Sequence, residues 1–275
     1  TADSTATAAD LKTINTATSG IITATGVTAI SGSISDINDV LAAETSQGNA
    51  GQQIDLDTNF TVTVTDTGSV AATTLTTLDS GVPGTVTVTN TVTLTGTAAE
   101  IAAAATADNA GTLALASDFG ATVDTGSVTA TDLTTIVGRT SATINALDAT
   151  ILTGTAAEVV AAINHAQVNH DANFLVTLTN DSTATAADLK TINTATSGII
   201  TATGVTAITG SISDINDVLA AETSQGNAGQ QIDLDTNFTV TVTDTGSVAA
   251  TTLTTLDSGV PGTVTVTNTV TLTGT

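Results

Sequence analysis

The chain of 275 residues sets 26 acidic against three basic side chains, for a formal net charge of −23, and contains no Cys, Met, Trp or Tyr. Such a surface repels phosphate backbones and anionic lipid, which excludes nucleic acid as a partner class, and the missing sulfur excludes disulfides and thiol redox chemistry. With 40% hydrophobic residues and a mean hydropathy of +0.32 the chain can bury enough apolar surface to fold, while no run approaches the roughly 18–20 uninterrupted apolar residues of a membrane helix, so no membrane span is expected.

The first element signal is Thr7 with Asp10. A hydroxyl residue followed three positions later by an acid is the capping box that opens a helix. The pattern returns at Ser33/Asp36, Thr97/Glu100, Thr129/Asp132, Thr155/Glu158, Thr185/Asp188 and Ser211/Asp214. Ile37/Val40/Leu41, Leu75/Leu78 and Leu133/Ile136 supply apolar stripes for only two or three turns before Gly, Asn or Ser intervenes. The helices are therefore predicted to be short. Between them the period changes to two. Val62 and Val64 alternate with Thr61, Thr63 and Thr65, and Val86, Val88, Val92 and Leu94 alternate with Thr85, Thr87, Thr89, Thr91, Thr93 and Thr95. This predicts strands with a buried Val/Leu face and a Thr face turned outward.

Repetition organises these elements. Asp3–Thr97 recurs as Asp181–Thr275 at an offset of 178, with Ser31 against Thr209 as the single mismatch. Inside this unit Leu11, Leu75, Leu133, Leu189 and Leu253 mark a weaker period of about 60 residues. Paired capping boxes lie 26 apart, from 7 to 33, 129 to 155 and 185 to 211. Phe60, Phe119, Phe174 and Phe238, the four aromatics, occupy one place per module and read as core plugs. The implied organisation is a partial module 1–59, modules 60–118, 119–173 and 174–237, and a partial module 238–275. A strand with a short capped helix, recurring every 26 to 38 residues, predicts a repeat protein: a β-rich α/β solenoid of parallel strands alternating with short capped helices, about two coils per module. A string of separate α/β beads is the competing architecture.

Catalysis needs a converging nucleophile, base and orienting group. The chain offers two histidines, His165 and His170, and no Gly-x-Ser-x-Gly, Walker or His-Glu-x-x-His motif, so no enzyme and no cofactor is expected. The two histidines lie five apart, which is poor spacing for one metal on a helix, although Asp171 could join them in a loop. The stronger ligand pattern is Asp55, Asp57 and Asn59, repeated as Asp233, Asp235 and Asn237. Oxygen side chains at alternate positions can turn toward one calcium ion, but Phe60 stands where an EF-hand loop needs Gly. The bland reading is a solvated turn before a strand. Rows of Thr-x-Thr raise ice binding, against which Thr is simply a good outer-face strand residue.

The motifs DTGSVTATDLTTI (Asp124–Ile136), TSGIITATGVTAISGSISDINDV (Thr18–Val40) and LTGTAAEVVAA (Leu152–Ala162) resemble the giant tandem-repeat, or β-strand repeat, cell-surface proteins of bacteria such as marine cyanobacteria. The resemblance covers essentially every module and implies an exported surface protein. The function expected is a structural extracellular array forming a filament, sheath or surface layer, with the chain itself as partner through end-to-end or lateral assembly. The alternative is the stalk of a large adhesin, calcium-stabilised, whose binding module lies outside these residues.

Overall fold

A computed structural model describes residues 4–45, 53–179, 182–223 and 231–274. The chain divides into two compact units, residues 1–124 with 135–145, and residues 125–134 with 146–275.

In the first unit β1 (Thr5–Thr7) enters α1 (Ala8–Ala17) and leaves through β2 (Ile22–Ala24); β3 (Ala29–Gly32), α2 (Ile34–Ala42) and β4 (Ile54–Leu56) repeat that order. After Phe60 a strand with no helix, β5 (Thr61–Val64), links to β6 (Gly68–Ala71), α3 (Ala72–Gly81) and β7 (Val86–Val88). Then follow β8 (Val92–Gly96), α4 (Ala98–Ala110), β9 (Leu113–Ala114) and a second linking strand, β10 (Gly120–Val123). The chain passes through β11 (Gly126–Thr129), α5 (Ala130–Val137) and β12 (Ile144–Ala146). The second unit continues with β13 (Ala149–Gly154), α6 (Ala156–Ile163), β14 (Val168–His170), linking strand β15 (Leu175–Leu178), β16 (Thr183–Thr185), α7 (Ala186–Ala195) and β17 (Ile200–Ala202). It ends with β18 (Ala207–Gly210), α8 (Ile212–Ala220), β19 (Ile232–Leu234), linking strand β20 (Thr239–Val242), β21 (Gly246–Ala249), α9 (Ala250–Gly259), β22 (Val264–Val266) and β23 (Val270–Thr273). The molecule is thus an α/β fold in which short helices alternate with strands.

Every seven-fold recurrence of the capping pattern marks a real helix start. The cap hydroxyl accepts the backbone N–H three residues on at Thr7, Ser33, Thr97, Thr129, Thr155, Thr185 and Ser211, at 3.0–3.3 Å. The reciprocal half depends on side-chain length. Glu100 and Glu158 reach back to accept the Thr97 and Thr155 amides, both at 2.8 Å. Aspartate is one methylene shorter, and Asp10, Asp36 and Asp214 instead accept the cap hydroxyl itself. Glycine precedes both glutamate boxes, at positive φ of 141° and 154°, and a Cβ on Gly96 would stand 2.7 Å from Glu100 Oε2.

All strand pairings are parallel, and they run between next-but-one strands. The first unit holds a five-stranded sheet, β1-β3-β5-β7-β9, the run β6-β8-β10-β12, and the pair β2-β4. The second holds β11-β13-β15-β17-β19, β16-β18-β20-β22 and β21-β23. A linking strand therefore joins two kinds of neighbour. On one edge it meets a strand that enters a helix, and on the other a strand that leaves one: β5 lies between β3 and β7, β15 between β13 and β17. Each such sheet draws strands from both sides of a phenylalanine.

Register fixes which side chains stack. Ile30, Val62, Val86 and Leu113 are successive partners and all are buried; Val128, Leu152, Val176, Ile200 and Ile232 repeat the column in the second unit. Each such side chain contributes roughly 1.5–3 kcal/mol by leaving water. The predicted inward set, Val62, Val64, Val86, Val88, Val92 and Leu94, is buried throughout. The predicted outward set differs in degree. Thr61 is exposed, but Thr63, Thr85 and Thr87 are half-buried, because threonines paired in register at ~4.8 Å shield one another. One such column is Thr129, Thr153, Thr177 and Thr201.

Candidate functional site

One cleft occurs in two copies, about 410 Å³ in the first unit and about 380 Å³ in the second. Strand β4 supplies Asp55 and Leu56, the following turn Asp57 and Thr58, and the end of α3 supplies Ser80, Gly81, Val82 and Pro83. Period two explains the mixture: Ile54 and Leu56 face the core, so Asp55, paired in register with Thr23, faces out. Glu44 completes the wall and is only 3% exposed. The same residues recur as Glu222, Asp233, Asp235 and Ser258, with Glu222 equally buried.

Of the residues predicted to hold calcium, Asp55 and Asp57 share the first cleft, and Asp233 and Asp235 the second. Asn59 and Asn237 do not line it. Their backbone N–H groups donate to Asp57 Oδ1 and Asp235 Oδ1 at 2.8 Å, an Asx turn that delivers the chain into β5 and β20. Among the described residues no three His, Cys, Asp or Glu side chains are grouped so as to hold a metal ion. The cleft is an anionic, oxygen-lined surface with an apolar floor from Phe60 and its copy Phe238.

The histidines have separate local roles. His165 Nδ1 accepts the Gln167 amide, while His170 Nδ1 donates to the Asp171 carbonyl at 2.8 Å and its ring meets Phe174 edge-on at 4.9 Å. His170 also lines a small apolar cavity of about 20 Å³ with Leu133, Leu152 and Val168, which is close to the space of one water molecule.

All three cations are used inside the fold. Lys12 on α1 bridges Asp36 at 3.0 Å and Asp39 at 2.6 Å on α2, and Lys190 does the same to Asp214 and Asp217 on α8. Arg139 donates through Nε to Asp108 at 2.8 Å. The hydrogen bonds it donates to Asp39 first and Asp36 second hold the Lys12 ammonium above its ordinary value; Lys12 and then Ser33, donating to Asp36, hold that carboxyl below the usual carboxylate range. The second copy behaves alike.

Sequence reasoning missed two roles. Glu44 looks like one more acid at a helix end, and only the fold folds it into the cleft. Asp66 accepts the Ile34 amide at 2.7 Å, and Asp244 the Ile212 amide at 2.8 Å, so an aspartate 32 residues downstream satisfies an open N–H of α2 and α8. The recurrence of Asp before Thr-Gly-Ser-Val was the available signal.

Among the described residues no helix is long and apolar enough to cross a membrane. No family model, no curated protein and no solved structure matches this chain.

Proposed function

We propose that this chain is part of a structural extracellular repeat array, in which 178-residue units stack as a β/α solenoid to build a filament, sheath or surface layer. The observation that carries the reading is the linking strand. Because β5 joins β3 to β7, and β15 joins β13 to β17, successive modules share sheets, and a shared sheet is what turns a string of modules into a stiff stack. The two long copies support it further: Ala29↔Thr61 and Ile30↔Val62 in the first are matched by Ala207↔Thr239 and Ile208↔Val240 in the second. Surface acidity and the absence of oxidisable sulfur suit a durable, solvated material, and the resemblance to repeat-built cell-surface proteins points the same way.

The adhesin-stalk reading has its own observation. With every cation paired internally, the remaining surface is anionic, and like-charged copies repel laterally. Electron microscopy and fibre diffraction of a polypeptide carrying four 178-residue units separate the readings. A stacked array gives a constant axial step per unit and a reflection near 4.8 Å along the axis; side-by-side bundles favour the sheath or filament, and isolated rods at all concentrations favour the stalk. Beads at variable angles would sink the solenoid.

A further inference from the structure

The turn before the linking strand β5 carries a chemical group that the fold leaves unused. The backbone of Asn59 is held on both sides. Its N–H donates to Asp57 Oδ1 at 2.8 Å, and a Cβ on Gly84 would stand 3.2 Å from its carbonyl oxygen and 2.7 Å from that of Phe60, so a bare glycine lets the next loop pack against the turn. The Asn59 side chain is exposed, and its carboxamide forms no hydrogen bond among the described residues. Asn90 and Asn268 show the contrast, because their Nδ2 groups donate to the Thr65 carbonyl at 2.9 Å and the Thr243 carbonyl at 2.7 Å. Phe60 is buried between Asn59 and Thr61, and both of its neighbours are exposed. Asn237 repeats the arrangement: it is exposed, its amide donates to Asp235 Oδ1 at 2.8 Å, and buried Phe238 separates it from Thr239.

We infer that Asn59 and Asn237 are acceptor sites for N-linked glycosylation, each taking a sugar through its C1 onto Nδ2. Asparagine with Ser or Thr two residues on, and no proline between, is the acceptor triplet of that reaction, here Asn59-Phe60-Thr61 and Asn237-Phe238-Thr239. In a chain this rich in threonine the triplet alone selects little. The selecting feature is a free, exposed carboxamide on a turn fixed by Asp57 or Asp235. The co-reactant is a sugar held as its C1 diphosphate ester, on a nucleotide or on a lipid, and brought by a transferase. Nδ2 forms the bond to C1, the C1–O bond breaks, the diphosphate leaves with that electron pair, and the proton lost from Nδ2 passes to a base of the enzyme. The inference goes beyond the array reading and draws from it only the expectation that this face meets the outside of the cell. Two other turns are built-in controls. Asn173 is exposed and its amide donates to Asp171 Oδ1 at 3.3 Å, but Leu175 stands where the hydroxyl belongs. Before Phe119 the residue is Asp118, which has no amide nitrogen to offer.

The test is peptide mapping by mass spectrometry of the protein recovered from the cells that make it, with cell fractionation of the same sample. Trypsin cuts after Lys12, Arg139 and Lys190, so Asn59, Asn173 and Asn237 fall in different peptides. A glycan is expected on Asn59 and on Asn237 and none on Asn173; fragmentation separates Asn173 from Asn180, which also begins an Asn-x-Ser triplet and lies outside the described residues. A preassembled oligosaccharide marks a lipid-linked donor and a single sugar a nucleotide-linked one, and both fit the inference. In the 275-residue chain expressed in the same cells, Thr61→Val should abolish the glycan on Asn59 and leave that on Asn237 intact. Leu175→Thr, at a position 42% exposed, should bring a glycan to Asn173; circular dichroism checks that both variants fold. Bare Asn59 and Asn237 overturn the inference wherever the protein is found, as does a glycan on Asn59 that survives Thr61→Val. Recovery from the cytoplasm alone sinks the extracellular reading, whether or not the two asparagines carry sugar.

Discussion

The described parts of residues 4–96 and 182–274 share one sequence apart from Ser31 and Thr209, yet their side chains are not buried alike. Ile14 in α1 is 48% exposed while its copy Ile192 in α7 is fully buried; Val27 is half-buried and Val205 fully so. Thr18 is exposed and merely accepts the Gly20 amide, whereas Thr196 is buried and donates its hydroxyl to the Phe174 carbonyl at 2.5 Å. At the other end the inequality reverses. Val86, Val88 and Leu94 are buried, while Val264 and Val266 are half-buried and Leu272 is exposed. Local structure is the same in both copies, so the difference lives entirely in packing: residues before α7 complete its core, and residues after β8 complete that of β7 and β8. The sequence of a module specifies its own helices and strands, and adjoining segments complete its interior at positions such as Ile192 and Leu94.

Substituting the same residue in both copies breaks this comparison most sharply at the strands. Val88→Asp places a charge in a sealed core and should cost about 3–5 kcal/mol by denaturant unfolding, whereas Val266→Asp can turn its carboxylate to water and should cost about 1 kcal/mol. Equal losses would mean that β22 is as enclosed as β7. Next in size, Leu94→Ala should lose about 3 kcal/mol through cavity formation, and Leu272→Ala under about 0.5 kcal/mol. A smaller split follows at the buried hydroxyl. Thr196→Val leaves the Phe174 carbonyl unpaired at a cost of about 1–2 kcal/mol, while Thr18→Val should be nearly silent; hydrogen exchange at Gly198, whose amide donates to Thr196 Oγ1 at 2.9 Å, reports the change directly.

What the sequence made legible was what is local. A hydroxyl and an acid three residues apart commit a helix start whatever surrounds them, and Thr97/Glu100 and Ser33/Asp36 behave as their spacing says. Alternation assigns faces, so Val62 and Val64 could be placed inside and Thr61 outside. Alternation does not choose partners. Nothing in the run from Thr61 to Val64 tells that β5 pairs with β7 rather than with β6, its neighbour in sequence, because every strand carries nearly the same Val/Thr pattern and register is decided by turn lengths and by which helix each strand must reach. The Asp55-x-Asp57-x-Asn59 spacing suggests calcium ligands, but spacing cannot reveal that Asp57 Oδ1 accepts the Asn59 amide in an Asx turn, or that Glu44, just past α2, lines the same cleft. Threonine half-burial was equally hidden, since it arises from columns across strands, not from any one strand.

The least effect, and the one that should be identical in the two copies, concerns the lysine bridges. Lys12 with Asp36 and Lys190 with Asp214 have matching geometry, at 3.0 and 2.9 Å, and both sit at the surface between consecutive helices, where solvent screens them. The sign of their pH dependence is fixed by the direction of the shifts. Asp36 and Asp214 are held below the ordinary value of 3.8, so their contribution is complete above that value and disappears as the pH falls through the lowered folded value. Lys12 and Lys190 are held above 10.5; their contribution is present below that value and is lost only as the pH rises through the raised one. Acid unfolding should therefore begin below about pH 4, and Lys12→Ala and Lys190→Ala should each move its midpoint slightly toward higher pH, by equal amounts, with the shift shrinking in 1 M salt as the screening length falls to about 3 Å. Unequal shifts would show that the flanking modules reach the helix surface as well as the core, and would extend the asymmetry between the copies to a layer where the geometry of the two bridges gives no sign of it.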